Sequence, residues 1–296
     1  MKNFPEKIFM FIIALCFVVF DSCDKIEPPY TENNEIIDIS KCPIPAFPTL
    51  GNVFKKILVE DFTGFKCKYC PLAHIALKNL INTYGDTIVS YAMHVSDYAK
   101  PDVSGLFTYD FRTPEGTEID QTFQVSAQGL PKGMINRTKY EGTVVIPHTS
   151  WSIVIQPMLA DQPKVAMQII NNYNINDSSF CTHIKMTFIE DITDTLMFFC
   201  GLTEDSIIKP QTDYSLPIGQ QDVLNYIHMH AFRDGLNGSF GVTINPQKTH
   251  KDSTLVKSYY YSLKQKDYVH KNLKIVAYVY KLTGSEVLQS EEKKVK

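Results

Sequence analysis

Two cysteines three residues apart, Cys67 and Cys70, are the residues of this sequence best placed to do chemistry. A thiolate is a nucleophile, and a second thiol at this spacing can turn back and resolve a mixed disulfide. The pair stands at a change of pattern. Lys56-Ile57-Leu58-Val59-Glu60-Asp61-Phe62 reads as a strand with a buried centre, and Thr63-Gly64-Phe65-Lys66 turns the chain. After Pro71, the residues Leu72, Ile75, Ala76, Leu80 and Ile81 recur at helical spacing until Tyr84-Gly85. The partial positive charge of a helix N-terminus stabilises a thiolate, and Lys66 and Lys68 add to it. On this reading Cys67 is the exposed, attacking thiol and Cys70, one turn in, the resolving one. Pro71 falls in the first helical turn, where its missing N–H costs little. A zinc site is the competing chemistry. It lacks a second ligand pair, and His74 would complete only a three-ligand cluster; a half-buried helix histidine is the commoner occurrence. An inert structural disulfide is the bland alternative.

The elements around the pair follow the same patterns. Thr87–Val95 is a second apolar strand, which makes a β-α-β unit with the dithiol at the tip of its helix. A polar insertion over 96–116 and a short helix over 117–126 lead to Gly129-Leu130-Pro131-Lys132-Gly133. Met134–Arg137 and Thr143–Ile146 read as a hairpin, and His148–Leu159 as a last helix with Trp151 and Ile155 on one side. From Lys164 the pattern changes to short β-rich runs, Val165–Ile170, Phe180–Ile189, Thr195–Leu202, Val223–Phe232, Thr254–Leu263, Leu273–Leu282 and Glu286–Gln289. Seven short strands between turn residues fit an all-β immunoglobulin-like sandwich. His228-Met229-His230 sets two imidazoles on one strand face, a pattern more often structural than metal-binding.

The N-terminus reads as an export signal. Lys2 and Lys7 precede an apolar run from Ile8 to Phe20, shorter than the ~18 residues of a membrane span, so 1–22 is a signal peptide. Asp21-Ser22-Cys23 resembles a bacterial lipoprotein cleavage site, which makes Cys23 the lipidated first residue. Residues 23–52, rich in proline and without a sustained period, form a tether. The mature protein then hangs from a membrane or is secreted, in an oxidising compartment where disulfides persist. Five cysteines remain, so at least one is unpaired within the chain. Cys200 sits in an apolar run and reads as a core side chain; Cys42 and Cys181 show no motif spacing. Lys plus Arg total 29 against 32 for Asp plus Glu, a net charge of -3 that argues against nucleic acid as a partner. At ~150 residues per domain, 296 residues suggest two.

Four segments together resemble a known family: KKILVEDFTGFKCKYCPLAHIAL, GLPKGMINR, YIHMHAFRDGLNGSFG and LKIVAYVYKLTGSEVLQ. The chain is similar over roughly 53–290 to the 28-kDa outer-membrane-protein-related lipoproteins of Bacteroidetes. The resemblance implies an α/β thioredoxin-like domain, placed at 53–163, followed by an all-β immunoglobulin-like sandwich at 164–296, on an exported outer-membrane lipoprotein. Carried over by position, Cys67 and Cys70 match the dithiol and Pro131 a cis-proline beside it. The Trp-Cys-Gly-Pro-Cys of thioredoxins is absent, with Lys66 before the pair and Lys68-Tyr69 within it. The expected role is thiol–disulfide exchange with thiols or disulfides of exported proteins, without a cofactor. The alternative is a binding or adhesion scaffold with an inert Cys67–Cys70 bond.

Overall fold

Strand β1 (Ile57–Thr63) is buried along its whole length, so its two faces must meet two different apolar layers. Ile57 and Val59 pack with one layer, Leu58 and Phe62 with the other. The computed structural model describes residues 41–296; the signal segment, Cys23 and the tether up to residue 40 lie outside the described residues. Helix α1 (Cys70–Tyr84) lies on the Ile57/Val59 face through Ala73, Leu77 and Leu80. The apolar stripe expected from Leu72 and Ile75 is displaced, because both are exposed, at 36% and 53%. Strand β2 (Ile88–His94) runs parallel to β1 from Ile57↔Ile88 to Thr63↔His94, which completes the β-α-β unit. A short helix α2 (Ser96–Ala99) opens the insertion. Helix α3 (Pro114–Phe123) starts earlier than the hydrophobic pattern suggests. Thr113 accepts from Gly116 N at 3.0 Å, and Pro114 fills the first turn. Strand β3 (Lys132–Ile135) pairs antiparallel with β1, and Trp151 of α4 (Trp151–Met158) closes the layer under it.

The second half supplies β4 (Val165–Asn174), β5 (Ser179–Phe188), β6 (Leu196–Glu204), β7 (Ile207–Thr212), β8 (Asp222–His228), β9 (Ala231–Gly235), β10 (Val242–Thr243), β11 (Thr254–Ser262), β12 (Leu273–Lys281) and β13 (Val287–Lys294). Main-sheet order is β13-β12-β6-β9-β2-β1-β3, with β10 added beside β6. The boundary expected at 163/164 therefore does not divide the sheet: β9 joins β2 at Ala92↔Ala231, and the described residues fall in one compact unit. The physical reason lies in β6 and β12. Leu196, Phe198, Cys200 and Leu202 face one core while Met197 and Phe199 face another, and β12 alternates likewise. A strand apolar on both faces needs a layer on each side. One is the three-stranded sheet β11-β5-β4; the other is shared with β1, β2 and α3. A mixed sheet with helices, thioredoxin-like in its first half, is the outcome.

A disulfide and a buried ion pair add long-range ties. Cys42 is bonded to Cys181 on β5, 139 residues away, a pairing that no spacing announced. Cys200 is free and buried in the core, as its apolar run suggests. Between β1 and β12 lies a buried charge pair. Arg137 donates to both carboxylate oxygens of Glu60, at 2.9 and 2.8 Å, and to the Tyr278 hydroxyl at 2.8 Å. Tyr91 on β2 donates to the same carboxylate at 2.5 Å. The guanidinium stands 5.0, 5.2 and 5.1 Å from the ring centres of Phe123, Tyr278 and Tyr280, within the reach of cation–π contacts.

Candidate functional site

The turn from β1 into α1 carries the dithiol. Gly64 passes so close to the Tyr98 carbonyl that a Cβ there would stand 2.5 Å from the oxygen, so only glycine fits. Cys67 N donates to Gly64 O at 2.9 Å and Lys66 N to Tyr98 O at 3.0 Å, which fixes the loop before the helix. Cys67 and Cys70 are bonded to each other, with Cys70 as the first residue of α1. The Leu130–Pro131 peptide is cis, and Lys132 pairs with Phe62, so Pro131 arrives level with the end of β1 from which the dithiol loop departs.

The exposure expected of Cys67 does not hold. Its relative exposure is 2% and that of Cys70 is 0%. The cover comes from β7 and β8, which pair only with each other. Thr212 N donates to Phe65 O at 2.8 Å and Tyr214 N to Lys68 O at 2.9 Å. The Gln211 amide donates to Cys67 O at 3.1 Å and Gly64 O at 3.3 Å. The Tyr214 ring meets Tyr69 edge-on at 6.4 Å and lies under the Lys68 ammonium at 4.7 Å. Nothing in local periodicity reveals this cover. Ile207–Thr212 contains Pro210 and passed as a connection, and the run Val223–Phe232 read as one strand. In the fold that run breaks at His230, whose φ is +56°.

The break separates the two imidazoles expected on one face. His228 turns inward, 1% exposed, and His230 goes to Asp205 at 3.3 Å. The His228 ring centre is 5.4 Å from that of His94 and 4.7 Å from Phe111, and its Nε2 donates to Lys209 O at 3.3 Å. His94 stacks on Phe111 at 4.2 Å. His74, one turn beyond Cys70, has Nδ1 2.7 Å from the Tyr226 hydroxyl, Nε2 3.0 Å from Thr63 Oγ1, and Nε2 3.6 Å from Asp61. Burial, reinforced by neighbouring histidines, lowers His74 to about 3 and holds His94 well below the usual range; burial lowers His228 to about 4. Burial alone pushes the Asp61 carboxyl up to about 8. Asp61 is fully buried, and neither of its oxygens has a hydrogen-bond partner among the described residues. A carboxyl in that state can hold or release a proton near neutral pH beside the first turn of α1. The signal for it was present in the sequence as two acids, Glu60-Asp61, inside an otherwise apolar strand. His94 and the Tyr226 contact carried no such signal. No group of three or more His, Cys, Asp or Glu among the described residues is placed to hold a metal ion.

Comparison with known proteins places this architecture. The family model described as "Outer membrane protein Omp28" matches residues 118–296, more than half of the chain. That span begins after Cys70 and includes Pro131, Arg137 and the β7–β8 hairpin. No curated protein matches the sequence. Among solved structures, HBP35 of Porphyromonas gingivalis is similar at a TM-score of 0.59 and 15% identity, covering 83% of this chain and 77% of that one. A protein of Agrobacterium tumefaciens reaches 0.49 at 13% identity, covering 83% and 97%. A domain of the outer membrane lipoprotein Omp28 from Porphyromonas gingivalis reaches 0.30 at 17% identity, covering 45% of this chain and 89% of that one.

Proposed function

The chain belongs to the Omp28 family of outer membrane proteins, and from that membership we propose a lipid-anchored envelope protein whose Cys67–Cys70 pair exchanges disulfides with exported polypeptides. Its place is the outer membrane. We read the C-terminal half as an immunoglobulin-like sandwich fused edge-on to the thioredoxin-like half, and Cys23 as the lipidated residue. Stable anchoring needs more than one acyl chain, which a lipidated N-terminal cysteine supplies. Cys23→Ala should therefore move the protein from the membrane fraction to the soluble one. Detergent-phase partition that is unchanged in the variant sinks the anchor.

The observation that carries the redox reading is the placement of Cys67–Cys70 at the tip of α1, one turn before His74, whose ring stands 3.6 Å from the buried Asp61 carboxyl. In the reduced protein, the Cys67 thiolate attacks a partner's disulfide, forms a mixed disulfide and releases one partner thiolate. Cys70 then loses its proton, attacks Cys67 and releases the second partner thiolate. Two electrons pass to the partner, and Cys67–Cys70 is re-formed. The Cys70 proton leaves to solvent as the exchange completes, since Asp61 is itself protonated up to about pH 8. The burial of both sulfurs favours a second reading, an inert cystine in a scaffold.

Alkylation of the reduced protein as a function of pH separates the two. Exchange chemistry requires a midpoint for Cys67 below the ~8.5 of a free cysteine. It also requires transfer of disulfide from a cystine peptide that stops in Cys67→Ser. A midpoint at or above that value, with no transfer, leaves the scaffold reading standing.

A further inference from the structure

The cover over the dithiol is itself laid down like a bound peptide. Thr212 and Tyr214, two residues apart, each donate a backbone N–H to the dithiol loop, at Phe65 O and Lys68 O. That alternation is how an extended segment adds to an exposed backbone edge. Just before them, Gln211 donates its amide to Gly64 O and Cys67 O, a third tie to the same loop. The hairpin that delivers this segment is weakly held as a structure. It is a two-stranded sheet joined to neither larger sheet, and such a hairpin is marginal alone. Its outer face is open: Ile208 and Ile227 face each other across it and are 58% and 55% exposed, so nothing among the described residues covers that side. Its base is pinned by the Tyr226–His74 contact and by His228 against His94 and Phe111.

We propose that the β7–β8 hairpin is a displaceable strap seated in the polypeptide-binding edge of the Cys67–Cys70 loop, and that an extended cysteine-bearing segment of a partner adds there in its place. The partner half of this inference rests on the exchange chemistry proposed above; the strap half does not. Recognition runs through backbone carbonyls, Phe65 O and Lys68 O, so the edge accepts many sequences provided the segment is extended and carries its sulfur level with Cys67. The closed form protects the bond from reductants, and docking opens it.

Reduction by dithiothreitol reads the strap directly: the reagent closes to its cyclic disulfide and passes two electrons and two protons to Cys67–Cys70. Peptide mapping follows that bond and Cys42–Cys181 in the same sample. Gln211→Ala and Tyr226→Phe each remove strap contacts while leaving both sulfurs in place. Each should raise the reduction rate of Cys67–Cys70 by about tenfold, the equivalent of one or two lost hydrogen bonds. The rate for Cys42–Cys181 should stay at its wild-type value. In the unaltered protein, deuterium exchange should find the Thr212 and Tyr214 amides opening well before those of β12. Reduction at the wild-type rate in both variants, or strap amides as protected as β12, overturns the strap.

The partner is tested in Cys70→Ser, which cannot resolve a mixed disulfide. A short extended peptide carrying its cysteine as a glutathione mixed disulfide should form the Cys67–peptide bond and release glutathione. Protection of Thr212 and Tyr214 should then be lost in the adduct. An adduct that keeps that protection overturns displacement by the partner while leaving exchange intact. Fast strap amides with no adduct at all overturn the exchange reading and the docking claim together, and uphold the strap alone.

Discussion

Arg137→Met should cost about 3–5 kcal/mol of folding stability, because it leaves the Glu60 carboxylate buried with no cation. Glu60 and Arg137 both have side chains that are 0% exposed, and the guanidinium supplies two of the hydrogen bonds that satisfy the carboxylate. Only the Tyr91 hydroxyl would remain on it. For a unit of this size the loss should lower the melting temperature by roughly 10 °C. The pair is not expected to be worth that much in its own right. Desolvating two charges consumes most of their attraction, so replacing both by apolar groups should undo most of the damage. Glu60→Leu with Arg137→Met should therefore be closer to the wild type than Arg137→Met alone, with a coupling of ~2 kcal/mol in a double-mutant cycle. Full recovery is not expected, since the Tyr278 hydroxyl loses its donor and falls back on Tyr91 at 3.3 Å. Denaturant unfolding of the three variants measures this, and a single-variant loss under 1 kcal/mol would show that the seam between β1 and β12 does not depend on the ion pair.

That seam also marks where the sequence stops being legible. Burial leaves a local trace, so the strand before Cys67, the helix after it and the core place of Cys200 all follow from runs and periods in the chain. What lies against a buried strand leaves no such trace. The run Leu196–Leu202 is apolar on both faces whether its second face meets a sheet of the same domain or a thioredoxin-like half. The joining of the two halves in one sheet through Ala92↔Ala231 is therefore invisible locally. The same limit hid the strap. Its strands are short, one contains Pro210, and their outward faces stay exposed, so they carry half of the usual signal. Consequently the place of Cys67 between strand and helix could be read from the chain, but its accessibility could not. The displaced stripe of α1 is a milder case: Leu72 and Ile75 have helical spacing, yet the sheet is met by Ala73, Leu77 and Leu80, one position round the helix.

Acidification from pH 6.5 to 5 should destabilise the fold by about 3 kcal/mol through two histidines beneath the strap. His94 and His228 are neutral in the folded protein, held down by burial, with His228 at about 4. In the unfolded chain both take up protons below ~6.5. The unfolded state then binds about one more proton than the folded one at pH 6.5 and nearly two more at pH 5, so the loss steepens from ~1.4 to ~2.7 kcal/mol per pH unit. The other groups facing the cluster do not reverse this. Arg233 adds a nearby positive charge that disfavours protonation of His94. His74 at about 3 and Asp61 at about 8 hold one proton between them in the fold across this range, and the unfolded chain holds one as well, on His74, so the pair cancels. Above ~6.5 the unfolded chain loses that proton while folded Asp61 keeps it until about 8. The pair's contribution therefore weakens as pH rises through that window, which puts the cluster's optimum near 6.5. Because His228 belongs to the strap, opening the strap alone frees one of these protonation sites. Over the same drop in pH, strap opening should become about 15-fold more frequent, read as deuterium uptake at Thr212 and Tyr214 corrected for intrinsic rates. His94→Gln with His228→Gln should flatten both dependences. Stability that holds level between pH 6.5 and 5 in the wild type would mean that these two rings reach solvent or a proton donor in the native state.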